Sequence, residues 1–146
     1  MYYIGLLIFM ILLVVLFSFS ATLNSFIDIP SIIVVLGFSI PIVMASGLLG
    51  DFIKGFKLMR EKVNHFSLIE LKRILLSVQL MIKLILLSGV LGTMSAFVAI
   101  FSNFTTIELL FNHMSIAIIT LFYALIFIFV LLPIEAKAKA VIASLE

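Results

Sequence analysis

Two threonines in otherwise apolar stretches, Thr93 and Thr120, carry the side chains best suited to a polar path through a membrane. Thr93 lies about nine residues, and Thr120 about seven, from the outer ends of the helices predicted below. At about 1.5 Å per residue their depths agree within about one helical turn. Two hydroxyls at one depth could flank such a path. The alternative is that each hydroxyl donates to the carbonyl four residues earlier in its own helix.

The other residue types needed for chemistry are missing from the apolar stretches. The chain has no cysteine, and no spacing of residues suits a zinc site, a phosphate loop or a nucleophile with its base. We therefore predict no enzyme, no metal site and no cofactor. His113 and His65 are interpreted as interfacial or loop residues. No Asp, Glu or Arg lies inside a predicted span, so a carboxylate that binds ions in the membrane would have to come from another chain.

The composition places the chain in a membrane. Apolar residues make up 65% of the 146 positions and charged residues 11%, against roughly 45–50% and about a quarter in soluble domains. A soluble domain of this size leaves about a third of its surface in water. This composition excludes a soluble enzyme domain, a disordered tail and a nucleic-acid-binding module.

Charged residues divide the chain into four uncharged stretches, at positions 1–27, 29–50, 84–107 and 109–134. Each is long enough for one helix of about 20 residues, which crosses about 30 Å of hydrocarbon. We predict an all-α membrane protein, a single domain over residues 1–146. The predicted spans are about 4–21, 30–50, 80–102 and 113–133.

The first stretch has a second interpretation as a signal peptide. Ser18 and Ser20 occupy small-residue positions before Ala21. The leading segment MYYIG has no Lys or Arg, so we expect this stretch to be retained as a span.

The basic residues predict the topology. All nine fall on one side of the predicted membrane: Lys54, Lys57, Arg60, Lys62, Lys72, Arg73, Lys83, Lys137 and Lys139. The two opposite loops carry only Asp28 and Glu108. By the positive-inside rule, both termini are expected in the cytoplasm.

The segment between the second and third spans has its own pattern. We predict a cytoplasmic amphipathic segment over about 51–66, with Phe52, Ile53, Phe56 and Leu58 towards lipid. Ser67 and Glu70 have the spacing of a capping box, in which each side chain accepts from the other residue's amide. The third helix is therefore predicted to begin near Leu68, in the cytoplasm, and to run unbroken to about Ser102.

Small residues follow one face of each of the last two spans, which permits another helix to approach closely. We predict that these faces pack against a partner helix. In the third span they are Ser88, Gly92, Ser95, Ala96 and Ala99, and in the fourth they are Ala117 and Ala124, on the face of Thr120.

Four short motifs, in order, resemble the MotA/TolQ/ExbB proton-channel family, and most closely a short MotA-like (flagellar stator A-type) subunit. Phe26-Ile-Asp-Ile-Pro-Ser31, followed by Ile33-Val-Val-Leu-Gly37, is similar to the entry of the second span of MotA. Leu91-Gly-Thr93 resembles the Gly-Thr of the penultimate span, and Ala117-Ile-Ile-Thr120 with Tyr123 the last-span motif. Leu132-Pro-Ile134 with Lys137 is similar to the cytoplasmic exit.

This resemblance implies a ring subunit of an ion-driven rotary motor in the bacterial inner membrane. Family members form a pentamer around two copies of a single-span MotB-, ExbD- or TolR-like partner, whose Asp binds the transported proton or sodium ion. Thr93 and Thr120 would then lie beside that carboxylate.

The chain also departs from the family, and two other functions stay open. The cytoplasmic domain with which flagellar A subunits contact the rotor is reduced here to about 20 residues, and Leu121 replaces the second of the paired threonines. The alternatives are a small four-span secondary transporter and a non-conducting membrane scaffold, which would share the same helix-packing signals.

Overall fold

The computed structural model describes residues 2–20, 27–60, 66–102 and 106–145, and these form five α-helices. The predicted all-α class is confirmed. Ala21, at the end of the first predicted span, and the 61–65 part of the predicted amphipathic segment lie outside the described residues. The helices are α1 (Tyr2–Ser20), α2 (Ile29–Ala45), α3 (Leu49–Arg60), α4 (Leu68–Ser102) and α5 (Ile107–Leu145).

Three of these helices, α1, α4 and α5, are long and apolar enough to cross a membrane, and α2 with α3 forms a bent pair that meets the same test. The chain therefore has three candidate spans, or four if the pair counts as one. The 17 residues of α2 extend about 26 Å, at the lower limit for a span. The axis of α3 turns by 108° from that of α2.

The second helix ends five residues before the predicted boundary at residue 50. Ser46 is its C-cap, and Gly47 follows with φ of +70°. The Gly47 amide donates to Met44 O and the Leu48 amide to Val43 O, the two bonds of a Schellman motif. This motif stops α2 and starts the sharp turn into α3.

The predicted start and end of the third helix are confirmed, since α4 runs from Leu68 to Ser102. The capping box is also present: the Ser67 amide donates to Glu70 Oε2 over 3.1 Å, and the Glu70 amide donates to Ser67 Oγ over 3.3 Å. The bond from the Ser67 amide, followed by that from Lys54, holds the pKa of Glu70 below its usual value.

The last helix does not end at the predicted exit near residue 133. It continues through Pro133 to Leu145. Ile134, Ala138 and Ile142 recur at four-residue spacing and are buried in the same cluster as Leu71 and Ile74 of α4. This apolar seam holds α5 helical beyond the proline, whose missing amide alone would favour a break.

The amphipathic helix α3 packs against α4 and α5 through Asp51, Gly55 and Leu58. A Cβ at Gly55 would lie 3.2 Å from Ile134 Cγ2 and 3.3 Å from Val78 Cγ2. Leu58 is fully buried, so its predicted lipid-facing position is wrong. The reason is its spacing, seven residues after Asp51, which places both on one face.

Ion pairs fasten α3 to α4 at the basic end of the molecule, which comprises α3, the first turns of α4 and the last turns of α5. Arg73 Nε lies 2.9 Å from Asp51 Oδ2, and Lys54 Nζ lies 3.3 Å from Glu70 Oε1. Lys137 of α5 donates to the Leu58 carbonyl, near the C-terminus of α3, where helix carbonyls lack intrahelical partners.

The first helix is peripheral. Most of its large apolar side chains are exposed, and its described contacts are with α5. The Tyr2 hydroxyl donates to Val130 O over 3.2 Å, and the ring of Phe9 lies 5.7 Å from that of Phe129. The core that positions the site consists of α2, α4 and α5.

Replacing Gly47 by Ala tests the turn that separates α2 from α3. A Cβ there would meet no atom within 4 Å, so the cost comes only from the left-handed backbone, about 1–2 kcal/mol of unfolding free energy. Gly50→Ala is the matched control, because Gly50 is helical and its Cβ also meets open space. Denaturant titration in detergent micelles should show Gly47→Ala destabilised and Gly50→Ala not; equal stabilities would contradict the role of the turn.

Candidate functional site: a hydroxyl chain beside an open groove

An open groove of about 350 Å³ lies between α2, α4 and α5 at the far end of the molecule, opposite the basic end. Its polar lining comes from Asp28 and Ser31 of α2, Ser95 of α4 and Thr120 of α5. The remaining lining residues are small or aliphatic: Pro30, Val34, Gly92, Ala96, Ala99, Ile116 and Ala117.

Thr120 is joined to a carboxylate through one intermediate hydroxyl. Its Oγ1 lies 2.7 Å from Ser31 Oγ, and the Ser31 hydroxyl donates to Asp28 Oδ2. A hydroxyl has one hydrogen, and that of Ser31 goes to Asp28, so Thr120 donates to Ser31. The Thr120 proton is therefore directed to Ser31, and its oxygen keeps lone pairs for a ligand.

Local sequence explains why Asp28 and Ser31 meet. Asp28 is the N-cap of α2 and accepts the Ser31 amide over 3.2 Å, and Pro30 occupies the first turn. Pro is tolerated there because its missing amide would have no helical partner. Tyr123, one turn after Thr120 on α5, accepts the Asp28 amide over 3.2 Å. The start of α2 is thus fixed to α5 at two points.

The structure places Thr93 close to Thr120 on the neighbouring helix. The Thr93 hydroxyl donates to Ala117 O of α5 over 3.1 Å, one turn from Thr120. This bond crosses between helices, so the alternative that Thr93 bonds its own helix is wrong. The two threonines nevertheless differ in role: both are buried, but Thr120 lines the groove, whereas Thr93 does not.

The small-residue face of α4 is divided between two environments. Its inner part is closed by this chain's own helices: Ser88 Oγ lies 3.1 Å from Ser39 Oγ of α2, and Ala124 of α5 is buried against Gly89. Gly92 is buried at the edge of the groove. Its outer part, formed by Ser95, Ala96 and Ala99, is more open and follows the groove. Ala117 is buried at the floor of the groove on α5.

Sequence reasoning missed Asp28, Ser31 and Tyr123 as parts of the site. Asp28 and Ser31 belong to the motif that resembles the entry of the second MotA span, but neither was assigned to the site, although Asp three residues before Ser with Pro between them is a pattern typical of a helix start. The pairing of Ser31 with Thr120 spans 89 positions, and no local pattern predicts it.

No protein-family model matches the chain, and neither do the curated proteins or the solved structures with which it was compared. The proposals below therefore depend on the geometry and on the resemblance of the short motifs.

Gly89 tests the close contact that builds the site. A Cβ at Gly89 would lie 2.4 Å from Ala124 Cβ, so Gly89→Ala forces α4 and α5 apart. Overpacking of this kind costs about 1–3 kcal/mol of unfolding free energy. Gly37→Ala on α2, where nothing lies within 4 Å, is the control.

The double variant Gly89→Ala/Ala124→Gly removes the clash and should recover most of the loss, as residues in direct contact do in a double-mutant cycle. Denaturant titration in micelles measures wild type, Gly89→Ala, Ala124→Gly and the double variant. Strictly additive effects of the two substitutions would contradict direct contact at this position.

Proposed function

We propose that this chain is the ring subunit of an ion-driven rotary motor or channel, with protons or sodium ions passing between it and a single-span partner. The observation that carries the proposal is the Thr120 hydroxyl, which is oriented by Ser31 and Asp28 and lines a groove between three helices. The resemblance to MotA-like subunits supports the same function.

The groove suits a helix that brings its own carboxylate. Ser95, Ala96 and Ala99 form a low ridge along one side, and small side chains of this kind let helix backbones approach closely. A partner Asp on such a helix would face Thr120. The ion would then be shared between that carboxylate and the Thr120 oxygen, whose lone pairs are free to accept it.

Asp28 has two roles in this proposal. Its charge lies at the far end of the molecule, where no Lys or Arg falls, and a carboxylate there raises the local concentration of cations. Through Ser31 it also fixes the direction of the Thr120 hydroxyl. Asp28 thus attracts the ion at the entrance and orients the Thr120 hydroxyl, while the partner supplies the carboxylate inside the membrane.

The membrane-spanning helices leave apolar faces for neighbours in a ring. Met94 and Val98 of α4 are exposed, as are Leu12 and Leu16 of α1. By the family resemblance we propose five copies around two partner helices, in a bacterial cytoplasmic membrane with both termini inside. The short connection between α2 and α4 lacks the domain with which flagellar subunits contact a rotor, so we propose a different load.

Purification from native membranes in mild detergent tests the assembly. We expect a co-purifying single-span protein with one Asp in its span, at five copies of this chain to two of the partner, by native mass spectrometry. The neighbouring reading frames are the first place to seek its gene. A ring that conducts ions without any such partner would exclude the proposal.

Thr120→Val tests the ion path, since it keeps the side-chain shape and removes the hydroxyl. In liposomes holding the assembled complex, we expect ion flux to fall at least about tenfold, as for other lost charge-stabilising contacts. Ser115→Ala is the control, because the exposed Ser115 hydroxyl donates to Phe111 O in its own helix.

Assembly must be intact for the comparison, so both variants are checked for the same stoichiometry by native mass spectrometry. Equal flux in both variants would exclude Thr120 from the ion path, whereas no flux even in the wild-type complex would favour a non-conducting scaffold, which shares the packing faces. Substrate-for-proton exchange by the purified chain alone would instead favour a secondary transporter.

A further inference from the structure

A second groove lies at the basic end, in the inner corner between α2 and α3. It has a volume of about 260 Å³, and its exposed lining is wholly apolar. Leu36 and Ile40 of α2 form one wall, Ile53 and Phe56 of α3 form the other, and Ile85 of α4 lies at its base. The ion path proposed above uses none of these residues.

The bend between the helices determines where this groove opens. Because α3 leaves the axis of α2 at 108°, the inner corner faces the apolar layer that α2 enters. Ile53 is 53% exposed and Phe56 38% exposed, although both are large apolar residues. A helix with such a charged face and an exposed apolar face lies in the membrane interface, where its apolar face meets acyl chains.

Two exposed cations follow the groove-lining Ile53 on the same side of α3. Lys57 and Arg60 lie in the last turn of α3, and at about 100° per residue both fall within about 40° of Ile53 on the helical wheel. Both are exposed. The nearby acids Asp51 and Glu70 already pair with Arg73 and Lys54, and over residues 27–60 and 66–102 no acid pairs with Lys57 or Arg60.

We propose that the elbow between α2 and α3 binds one anionic phospholipid. One acyl chain occupies the apolar corner, and the phosphate lies against Lys57 and Arg60, where a guanidinium can donate two parallel hydrogen bonds. Charge complementarity favours this occupant over an apolar helix, which would fill the corner and leave both cations without an anion. The site is independent of the ion path.

Spin-labelled lipids test this site in the reconstituted full-length protein. Phosphatidylglycerol and phosphatidylcholine labels are compared by electron spin resonance, which reports the fraction of lipid immobilised by the protein. Wild type is expected to prefer phosphatidylglycerol. In Lys57→Gln/Arg60→Gln, this preference should fall about fivefold for each cation removed. Lys83 is an exposed basic residue on α4, so Lys83→Gln is the control for charge. This variant should keep most of the preference for phosphatidylglycerol.

A second pair of variants tests the apolar corner. Leu36→Phe adds bulk within the groove, whereas Ile42→Phe adds it on the same helix at an exposed position. We expect Leu36→Phe to displace immobilised phosphatidylglycerol and Ile42→Phe to leave it unchanged.

Three results would overturn the proposal. The first is equal immobilisation of the two lipids by wild type. The second is a preference retained by the double variant, which would place the headgroup elsewhere. The third is a Leu36→Phe variant that keeps its lipid. If that variant also changes the oligomeric state, a protein helix covers the corner instead.

Discussion

The close approach of α4 and α5 is the contact on which the rest of the structure depends. Two glycines permit it: a Cβ would lie 2.4 Å from Ala124 at Gly89 and 2.8 Å from Thr120 at Gly92. Only at this separation can the Thr93 hydroxyl reach the Ala117 carbonyl across the two helices. Lipid tails are as apolar as the side chains, so no hydrophobic effect drives helices together within a membrane. Close packing and interhelical hydrogen bonds of this kind hold them together instead.

The start of α2 then completes the site. Asp28 caps this helix and also orients Ser31, which accepts from Thr120 on α5. One carboxylate therefore satisfies a helix terminus and sets the direction of a hydroxyl on another helix. The hydroxyl chain lies where the three helices converge at the far end, and the ion pairs between α3 and α4 lie at the basic end.

Local patterns predicted the helices well and the contacts between them less well. The start of α4 followed from Ser67 and Glu70, because a capping box involves only neighbouring residues. The end of α5 was missed, because burial of Ile134 and Ala138 against α4 outweighs the proline. Thr120 was identified from its type and depth, but its link to Asp28 depends on how three distant segments pack, which no short pattern encodes.

Because α4 is one unbroken helix, it can tilt as a rigid rod. Its 35 residues extend about 52 Å from the basic end to the groove, and its sequence contains no proline. A rigid rod of that length that tilts by about 5° moves its far tip by about 5 Å, close to the rise of one helical turn. With Gly92 as the pivot, Glu70 lies about 33 Å away, so the same tilt moves Glu70 and Arg73, where α3 is fastened, by about 3 Å.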